Sequence, residues 1–151
     1  MKKMKIAFAA SAGGHLTQIQ KIFTKDVIRK NETILLTEKS KKTEKIPETY
    51  FFQPLGYNPF KYFMALIDCI RIFKKEKVKL AITTGAEIGL VAMIAGKIIG
   101  IKTIFIETVI RVKTPTLAGR FSYPFSDIFL VQNETMKERY GKRARYEGGI
   151  I

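Results

Sequence analysis

The sequence predicts an α/β fold in which helices cover both faces of an open, mostly parallel sheet. Short apolar segments alternate with segments of helical periodicity along all 151 residues, a pattern typical of successive strand–helix–strand units. A chain of this length buries about two thirds of its unfolded surface. Its only cysteine, Cys69, excludes an internal disulfide framework. We therefore expect one domain over residues 1–151, built on a hydrophobic core alone.

Strands are predicted where apolar residues form short runs between turn-forming residues. A parallel sheet is buried on both faces, so its strands appear as continuous apolar runs. The run Met4–Ala10 ends at a loop of small residues, and Tyr50–Gln53 is ended by Pro54 and Gly56. The predicted strands are Met4–Ala10, Thr33–Thr37, Tyr50–Gln53, Val78–Thr83, Lys102–Ile106, Ile128–Val131 and, as a last extended piece, Arg143–Glu147.

Helices are predicted between these strands from apolar spacing and from residues that start or stop a helix. Leu16, Ile19 and Phe23 recur at helical spacing. Asn58 suits a helix cap and Pro59 the first helical position. The predicted helices are His15–Lys25, Asn58–Lys75, Glu87–Ile99 and Glu134–Tyr140, and the lysine-rich segment Glu38–Glu48 is expected to be a loop.

The chain is strongly basic, with 27 Lys and Arg against 13 Asp and Glu and a formal net charge of +14. Such a charge favours an acidic partner: nucleic acid, an anionic membrane face or a phosphorylated substrate. The basic stretch near the C-terminus lacks a nucleic-acid-binding module, and a solvated face or a subunit interface explains it equally well. We therefore expect no nucleic-acid partner.

Any association of this chain with a membrane is expected to be peripheral. The apolar run Ile6–Ala10 is too short for a secretory signal, and the run Ile88–Gly96 falls short of the ~20 residues that span a bilayer. We therefore expect a cytoplasmic protein. The helix Asn58–Lys75 is apolar almost all round and ends in basic residues, which suits either core packing or an anionic membrane face.

The loop after the first strand is a candidate anion site. In an open α/β sheet, ligands bind outside the carboxyl ends of the strands, and free N–H groups at a helix start attract phosphate. Ser11, Gly13 and Gly14 occupy this loop, and the glycines allow close backbone approach. Ala10 and Ala12 stand where the dinucleotide fingerprint needs glycine, which argues against a dinucleotide site.

The only histidine, His15, follows these glycines in the first turn of the helix. A helix N-terminus favours the neutral imidazole, which can accept a proton from a hydroxyl group. The alternative is a histidine that only hydrogen-bonds the loop. A single histidine also excludes a multi-histidine metal site.

Two further loops carry candidate binding residues. Thr84 and Gly85 lie between a strand and the start of a helix, so they suit contact with a diphosphate. Glu87, in the first turn of that helix, is either a substrate ligand or an ordinary first-turn acid. Glu107 ends the next strand and suits a sugar-hydroxyl ligand or base, and Arg111 can bind phosphate in a bidentate manner. An ion pair between Glu107 and Arg111 is the alternative.

Three segments in order carry a resemblance to a known family. They are SAGGHLTQI (11–19), TTGAEIGLVAMIAGKIIGIKTIFIET (83–108) and RVKTPTLAGRFSYPFSDIFLVQ (111–132). Together they resemble the asparagine-linked glycosylation fourteen-like family, whose bacterial relatives act in capsular and exopolysaccharide biosynthesis. The resemblance implies the Rossmann-like N-terminal half of a MurG-like GT-B glycosyltransferase, encoded as a separate subunit.

The same resemblance implies a partner, substrates and residue roles. A second small subunit would carry the nucleotide-sugar-binding domain, and the two would transfer a sugar with inversion from a UDP-sugar to a polyprenyl-diphosphate-linked acceptor at the inner membrane face. His15 and Glu107 would be catalytic. Basic side chains and helix N-termini can stabilise the leaving diphosphate, so no metal or other cofactor is expected. The alternative is a non-catalytic scaffold that recruits and stabilises the catalytic subunit.

Overall fold

The computed structural model describes residues 3–23 and 31–149. The strands, numbered along the chain, form one sheet in the order β3-β2-β1-β4-β5-β6-β7, and every neighbouring pair is parallel. This arrangement confirms the predicted open α/β fold. The strands are β1 (Lys5–Ala9), β2 (Glu32–Glu38), β3 (Thr49–Phe52), β4 (Leu80–Thr83), β5 (Lys102–Ile106), β6 (Ile128–Leu130) and β7 (Ala144–Arg145).

Helices connect most of these strands. Asn58 accepts a hydrogen bond from the Phe60 N–H at 3.0 Å and so caps its helix as predicted. The predicted end of the first helix at Lys25 lies outside the described residues. The helices are α1 (Gly14–Ile22), α2 (Pro59–Lys75), α3 (Glu87–Ile99), α4 (Leu117–Ser122) and α5 (Glu134–Tyr140), with 3-10 turns at Thr43–Lys45 and Tyr123–Phe125.

Each face of the sheet has its own apolar core. Along β1, Ile6 and Phe8 pack on one face with α1, whereas Ala7 and Ala9 point to the other face. That second face is covered by α2, α3 and α5. The small side chains on it suit close packing of the Ala- and Gly-rich helix α3.

Helix α2 combines the two roles that its sequence left open. Cys69 and Phe73 are fully buried in the core, and burial raises the pKa of the Cys69 thiol, as expected of a small core residue. Phe60 and Phe63 lie on the opposite face and are 68% and 58% exposed. One face of α2 therefore stabilises the fold and the other is available for contact.

Three short elements were missed from the sequence: helix α4 and the two 3-10 turns. Helix α4 has only six residues, too few for apolar periodicity to be visible. It begins at Leu117 and is capped by Thr116, whose hydroxyl accepts from the Gly119 N–H at 2.9 Å. The 3-10 turn in the lysine-rich segment forms because the buried Thr43 hydroxyl donates to the Glu38 carbonyl at 2.9 Å. The loop prediction for that segment is wrong at this turn.

A buried hydroxyl joins the ends of β1 and β4. The Thr83 hydroxyl donates to the Ala9 carbonyl at 2.6 Å and accepts from the Gly85 N–H at 3.0 Å. Gly89 of α3 lies directly against it, and a methyl group there would overlap the hydroxyl oxygen. The absence of a side chain at Gly89 thus lets the helix approach without displacing this bond.

We expect Gly89→Ala to lower the free energy of unfolding. The overlap costs about 1–3 kcal/mol because Thr83 cannot move without losing its bond to Ala9. The higher helix propensity of alanine restores up to about 1 kcal/mol, so we expect a net decrease in the free energy of unfolding. Urea denaturation followed by circular dichroism measures it.

Ile98→Ala provides the control, because Ile98 lies in the same helix and is 60% exposed. We expect it to change the free energy of unfolding by less than about 0.5 kcal/mol. A Gly89→Ala protein as stable as the parent would show that α3 can move away at no cost.

Candidate functional site

The order of the strands creates a crevice at the centre of the sheet. From β1 the chain proceeds to β2 and β3 on one side, and from β4 it proceeds to β5, β6 and β7 on the other. Connections that leave neighbouring strands in opposite directions open a crevice at their carboxyl ends, where ligands bind in such sheets. The loops after β1 and β4, which the sequence singled out, meet there.

A reciprocal pair of hydrogen bonds joins these two loops. The His15 Nδ1 lies 2.8 Å from the Thr84 carbonyl oxygen, and the Thr84 hydroxyl donates to the His15 carbonyl at 2.9 Å. A carbonyl only accepts, so Nδ1 carries the hydrogen, and the lone pair of the neutral imidazole is on Nε2. Among the described residues Nε2 has no hydrogen-bond partner. The structure therefore fixes His15 in the tautomer that can accept a proton at Nε2.

Gly85 makes room for the imidazole. Its φ of +123° lies in a region that favours glycine, and a Cβ at this position would stand 2.8 Å from His15 Cε1. Any side chain at Gly85 would therefore push the ring out of its bond with Thr84. The contact with diphosphate that we expected for Gly85 stays a prediction, and the structure adds this steric requirement.

The start of α1 is open to solvent. Gly13 and Gly14 are exposed, and a methyl group on either would meet nothing within 4 Å. The first turn of α1 holds no acidic residue that would compete for an anion. Ser11 is half-buried at the start of the same loop, and the Ala12 N–H donates to the Glu38 carboxylate at a long 3.5 Å. This geometry suits the predicted binding of a phosphate group.

Glu87 holds the loop after β3 against α3. Its Oε2 accepts from the N–H groups of Leu55 and Gly56 at 3.1 and 3.0 Å. It is also the acid of the first turn of α3, as the second interpretation of the sequence proposed. Its predicted role as a substrate ligand stays a prediction.

Glu107 is a buried residue that links several elements through hydrogen bonds. It is 1% exposed, and its carboxylate accepts hydrogen bonds from the Thr108 N–H at 2.9 Å, the Thr116 hydroxyl at 3.1 Å and the Tyr140 hydroxyl. Burial raises the pKa of Tyr140, and its hydrogen bond to Glu107 raises it further. The carboxylate thereby ties the loop after β5 to α4 and α5.

The ion pair between Glu107 and Arg111, which the sequence offered as the alternative to a binding role, is absent from the described residues. Arg111 is exposed, and no carboxylate of the described chain lies within ion-pair distance of its guanidinium. Its guanidinium is therefore available to an anion, and its predicted contact with phosphate stays a prediction. Whether Glu107 takes part in catalysis stays a prediction, and its bonds assign it a positioning role.

A buried bond connects the histidine helix with the loop after β5. Gln18 Nε2 of α1 donates to the Thr108 hydroxyl at 2.8 Å. Both residues are buried, so the bond is shielded from water. Because α1 also carries His15, the two predicted catalytic segments belong to one connected network.

Sequence reasoning missed Gln18, Thr116 and Tyr140. Tyr140 lies 33 positions from Glu107 and Gln18 lies 90 positions from Thr108, so no local spacing could reveal either pair. Only Thr116 carried a local signal, because threonine is a favoured cap.

An apolar cavity of about 520 Å³ opens between the turn after β3, the start of α3 and helix α4. Tyr57, Leu117 and Phe121 line it and are all exposed. Since α2 and α3 begin at the carboxyl ends of their preceding strands, this cavity lies at the same edge of the sheet as His15. Its lining suits a hydrocarbon ligand or a membrane surface.

The described residues include neither a membrane-spanning helix nor a cluster of metal-ligating side chains. None of their helices has the length and hydropathy needed to cross a bilayer. They also contain no group of three or more His, Cys, Asp and Glu side chains arranged to hold a metal ion.

Solved structures of known proteins share this fold. The chain superposes on MurG from Acinetobacter baumannii with a TM-score of 0.71 and 16% identity, covering 89% of this chain and 43% of that one. It superposes on a UDP-N-acetylglucosamine 2-epimerase from Rickettsia bellii with a TM-score of 0.76 and 13% identity, covering 99% and 46%. These likenesses support an open, Rossmann-like α/β fold of the kind found in such GT-B-type proteins.

Curated relatives share shorter stretches of sequence. The chain is 36% identical over 50 residues to the UDP-N-acetylglucosamine transferase subunit ALG14 of Eremothecium gossypii, covering 33% of this chain and 22% of the relative. It is 40% identical over 57 residues to the subunit of the same name from Rattus norvegicus, covering 36% and 26%. The matches thus span about a quarter of each relative. Residues 41–150 match the family model described as oligosaccharide biosynthesis protein Alg14 like, so this chain belongs to the Alg14-like family.

Proposed function

We propose that this protein is the acceptor-binding subunit of a two-component, inverting UDP-sugar glycosyltransferase that acts on a polyprenyl-diphosphate-linked sugar. The single observation that carries the proposal is the His15–Thr84 bridge, which presents Nε2 as a base at the central crevice. Membership of the Alg14-like family and curated relatives named as transferase subunits support it. The product would enter polysaccharide biosynthesis, such as that of a capsule or exopolysaccharide.

His15 would act on the acceptor. Nε2 would take the proton from the attacking hydroxyl group while its oxygen bonds to the anomeric carbon of the donor from the face opposite the nucleotide. The bond from that carbon to the diphosphate breaks, and UDP leaves with the bonding electrons. The Thr84 carbonyl would stabilise the imidazolium through Nδ1–H, as it already orients the neutral ring.

The surrounding residues would bind the charged groups of the substrates. Gly13 and Gly14 present backbone N–H groups and Arg111 presents an exposed guanidinium, so all three suit phosphate oxygens. Glu107 would act indirectly, since its buried carboxylate holds the loop that carries Arg111. The proposal needs no metal ion or other cofactor, because these groups supply positive charge to the leaving diphosphate.

The exposed apolar residues near the crevice would hold the protein on the inner face of the cell membrane. Phe60 and Phe63 of α2 and Leu117 and Phe121 of α4 are each more than half exposed. Aromatic residues beside a strongly basic surface suit an anionic bilayer, where the polyprenyl chain of the acceptor also resides.

Reconstitution tests the proposal. We expect sugar transfer from a UDP-sugar to a polyprenyl-diphosphate-linked acceptor only when this chain is mixed with a second small subunit that carries a nucleotide-sugar-binding domain. Candidate second subunits come from neighbouring genes and from co-purification with this chain, and radiolabelled product measures turnover. Equal turnover by the second subunit alone would refute a role in acceptor binding.

A variant of His15 distinguishes a protein in which this residue is the catalytic base from a non-catalytic scaffold. His15→Asn keeps an N–H near the position of Nδ1, so the bond to Thr84 survives, but it removes the proton acceptor. We expect turnover of the reconstituted enzyme to fall at least about a hundredfold. Gln20→Ala, an exposed position in the same helix, should retain turnover within twofold of the parent. Full activity of His15→Asn would favour the alternative of a non-catalytic scaffold that recruits its partner to the membrane.

A pair of apolar substitutions tests membrane contact. We expect Phe60→Ser/Phe63→Ser to weaken binding to phosphatidylglycerol-containing vesicles at least tenfold, because two aromatic side chains lose their apolar contact. Vesicle sedimentation at several salt concentrations measures binding. Ile98→Ser removes a similarly exposed side chain at the opposite edge of the sheet and should bind like the parent. Equal losses in both variants would argue against a specific membrane face.

A further inference from the structure

A second, polar cavity lies outside the crevice described above. It measures about 640 Å³ and opens between the loop after β5, helix α4 and the end of α5. Three cationic side chains from these three elements line it: Lys113, Arg120 and Arg139. Thr114 adds a hydroxyl group, and no carboxylate belongs to the lining.

The three cations lack counter-charges within the described chain. Its ion pairs involve other basic residues, and none of them engages Lys113, Arg120 or Arg139. Like charges that share one cavity repel each other, and the net charge of +14 adds to the positive potential. A bound anion would relieve that repulsion.

The aromatic wall of this cavity is held in place and carries no negative charge. The Tyr140 hydroxyl donates to Glu107, and the raised pKa of this phenol keeps it neutral. Tyr123 packs against Tyr140 with ring centroids 5.5 Å apart. On Tyr123 lies the guanidinium of Arg143, 5.3 Å from the ring centroid, which adds a fourth positive charge beside the cavity.

We propose that this cavity binds a diphosphate group, with Lys113, Arg120 and Arg139 contacting its oxygens from three sides. A diphosphate has several acceptor oxygens and more than one negative charge, so it can satisfy cations on different walls at once. The volume falls within the range of about 300–1,000 Å³ that is usual for small-molecule sites and exceeds what one phosphate group fills.

The cavity is lined by none of the crevice residues, and the identity of its ligand rests on the proposed function, whose donor and acceptor both contain a diphosphate. Two kinds of molecule share the diphosphate chemistry: a nucleotide sugar and an isoprenoid diphosphate. Either would bind to the isolated chain without any sugar transfer. Failure of this site and failure of the proposed catalytic role are therefore measured separately.

Isothermal titration of the full chain with inorganic pyrophosphate, at constant ionic strength, tests the site. We expect saturable binding, and a dissociation constant at least tenfold higher in Lys113→Gln/Arg120→Gln. Lys41→Gln/Lys42→Gln removes the same charge from an exposed turn and should change the constant less than twofold. Thermal unfolding checks that each variant is folded, and Arg139→Gln serves as the cavity variant if the double substitution unfolds the protein.

Further titrations identify the source of the diphosphate. UDP binding tighter than pyrophosphate would assign the site to a nucleotide, and geranyl diphosphate binding tighter would assign it to the lipid-linked substrate; both results support the site. Three results would overturn it. The first is that pyrophosphate shows no saturable binding, and the second is that the cavity and control variants lose affinity for it equally. The third is that sulfate at equal concentration displaces pyrophosphate.

Discussion

The reciprocal bond between His15 and Thr84 is the interaction on which the candidate site depends. It joins the loops after two central strands that are distant in sequence, 69 positions apart, and it selects which imidazole nitrogen carries a lone pair. Gly85 is required beside it because a side chain would occupy the space of the ring. The neighbouring Thr83 hydroxyl fixes the ends of β1 and β4 relative to each other. Tautomer, ring position and strand register are thus set by the same few contacts.

Two buried polar residues connect neighbouring elements of the structure by hydrogen bonds. Gln18 connects α1 to Thr108, and the Glu107 carboxylate connects the following loop to α4 and α5 through Thr116 and Tyr140. A buried carboxylate is costly unless it accepts several hydrogen bonds, and here hydroxyl and amide groups supply them. These bonds hold the loop after β5 against α4 and α5. That loop carries Arg111 and Lys113, and both residues are exposed.

The parallel arrangement of the strands explains why apolar side chains, open glycines and cationic side chains lie at one edge of the sheet. Parallel strands end at one edge, so the loops after β1, β3, β4 and β5 and the starts of α1, α2 and α3 share that edge. Apolar side chains of α2 and α4, the open glycines of α1 and the cationic side chains of the β5 loop are therefore brought together from separate parts of the chain. These surfaces together match a substrate that has both an anionic group and a hydrocarbon tail. They match it better than they match a ligand with only one of these two features.

The sequence by itself determined the strand and helix order, the loop that holds His15 and the capping of α2 by Asn58, because apolar periodicity and turn chemistry are local properties. It also carried the family resemblance in three ordered segments. The partners of Glu107, for which the sequence offered Arg111 only as an alternative, and the exposure of Phe60 and Phe63 depend on the tertiary structure. It also revealed the six-residue helix α4 and the cationic cavity. These depend on which distant segments pack together, and no spacing along the chain records that.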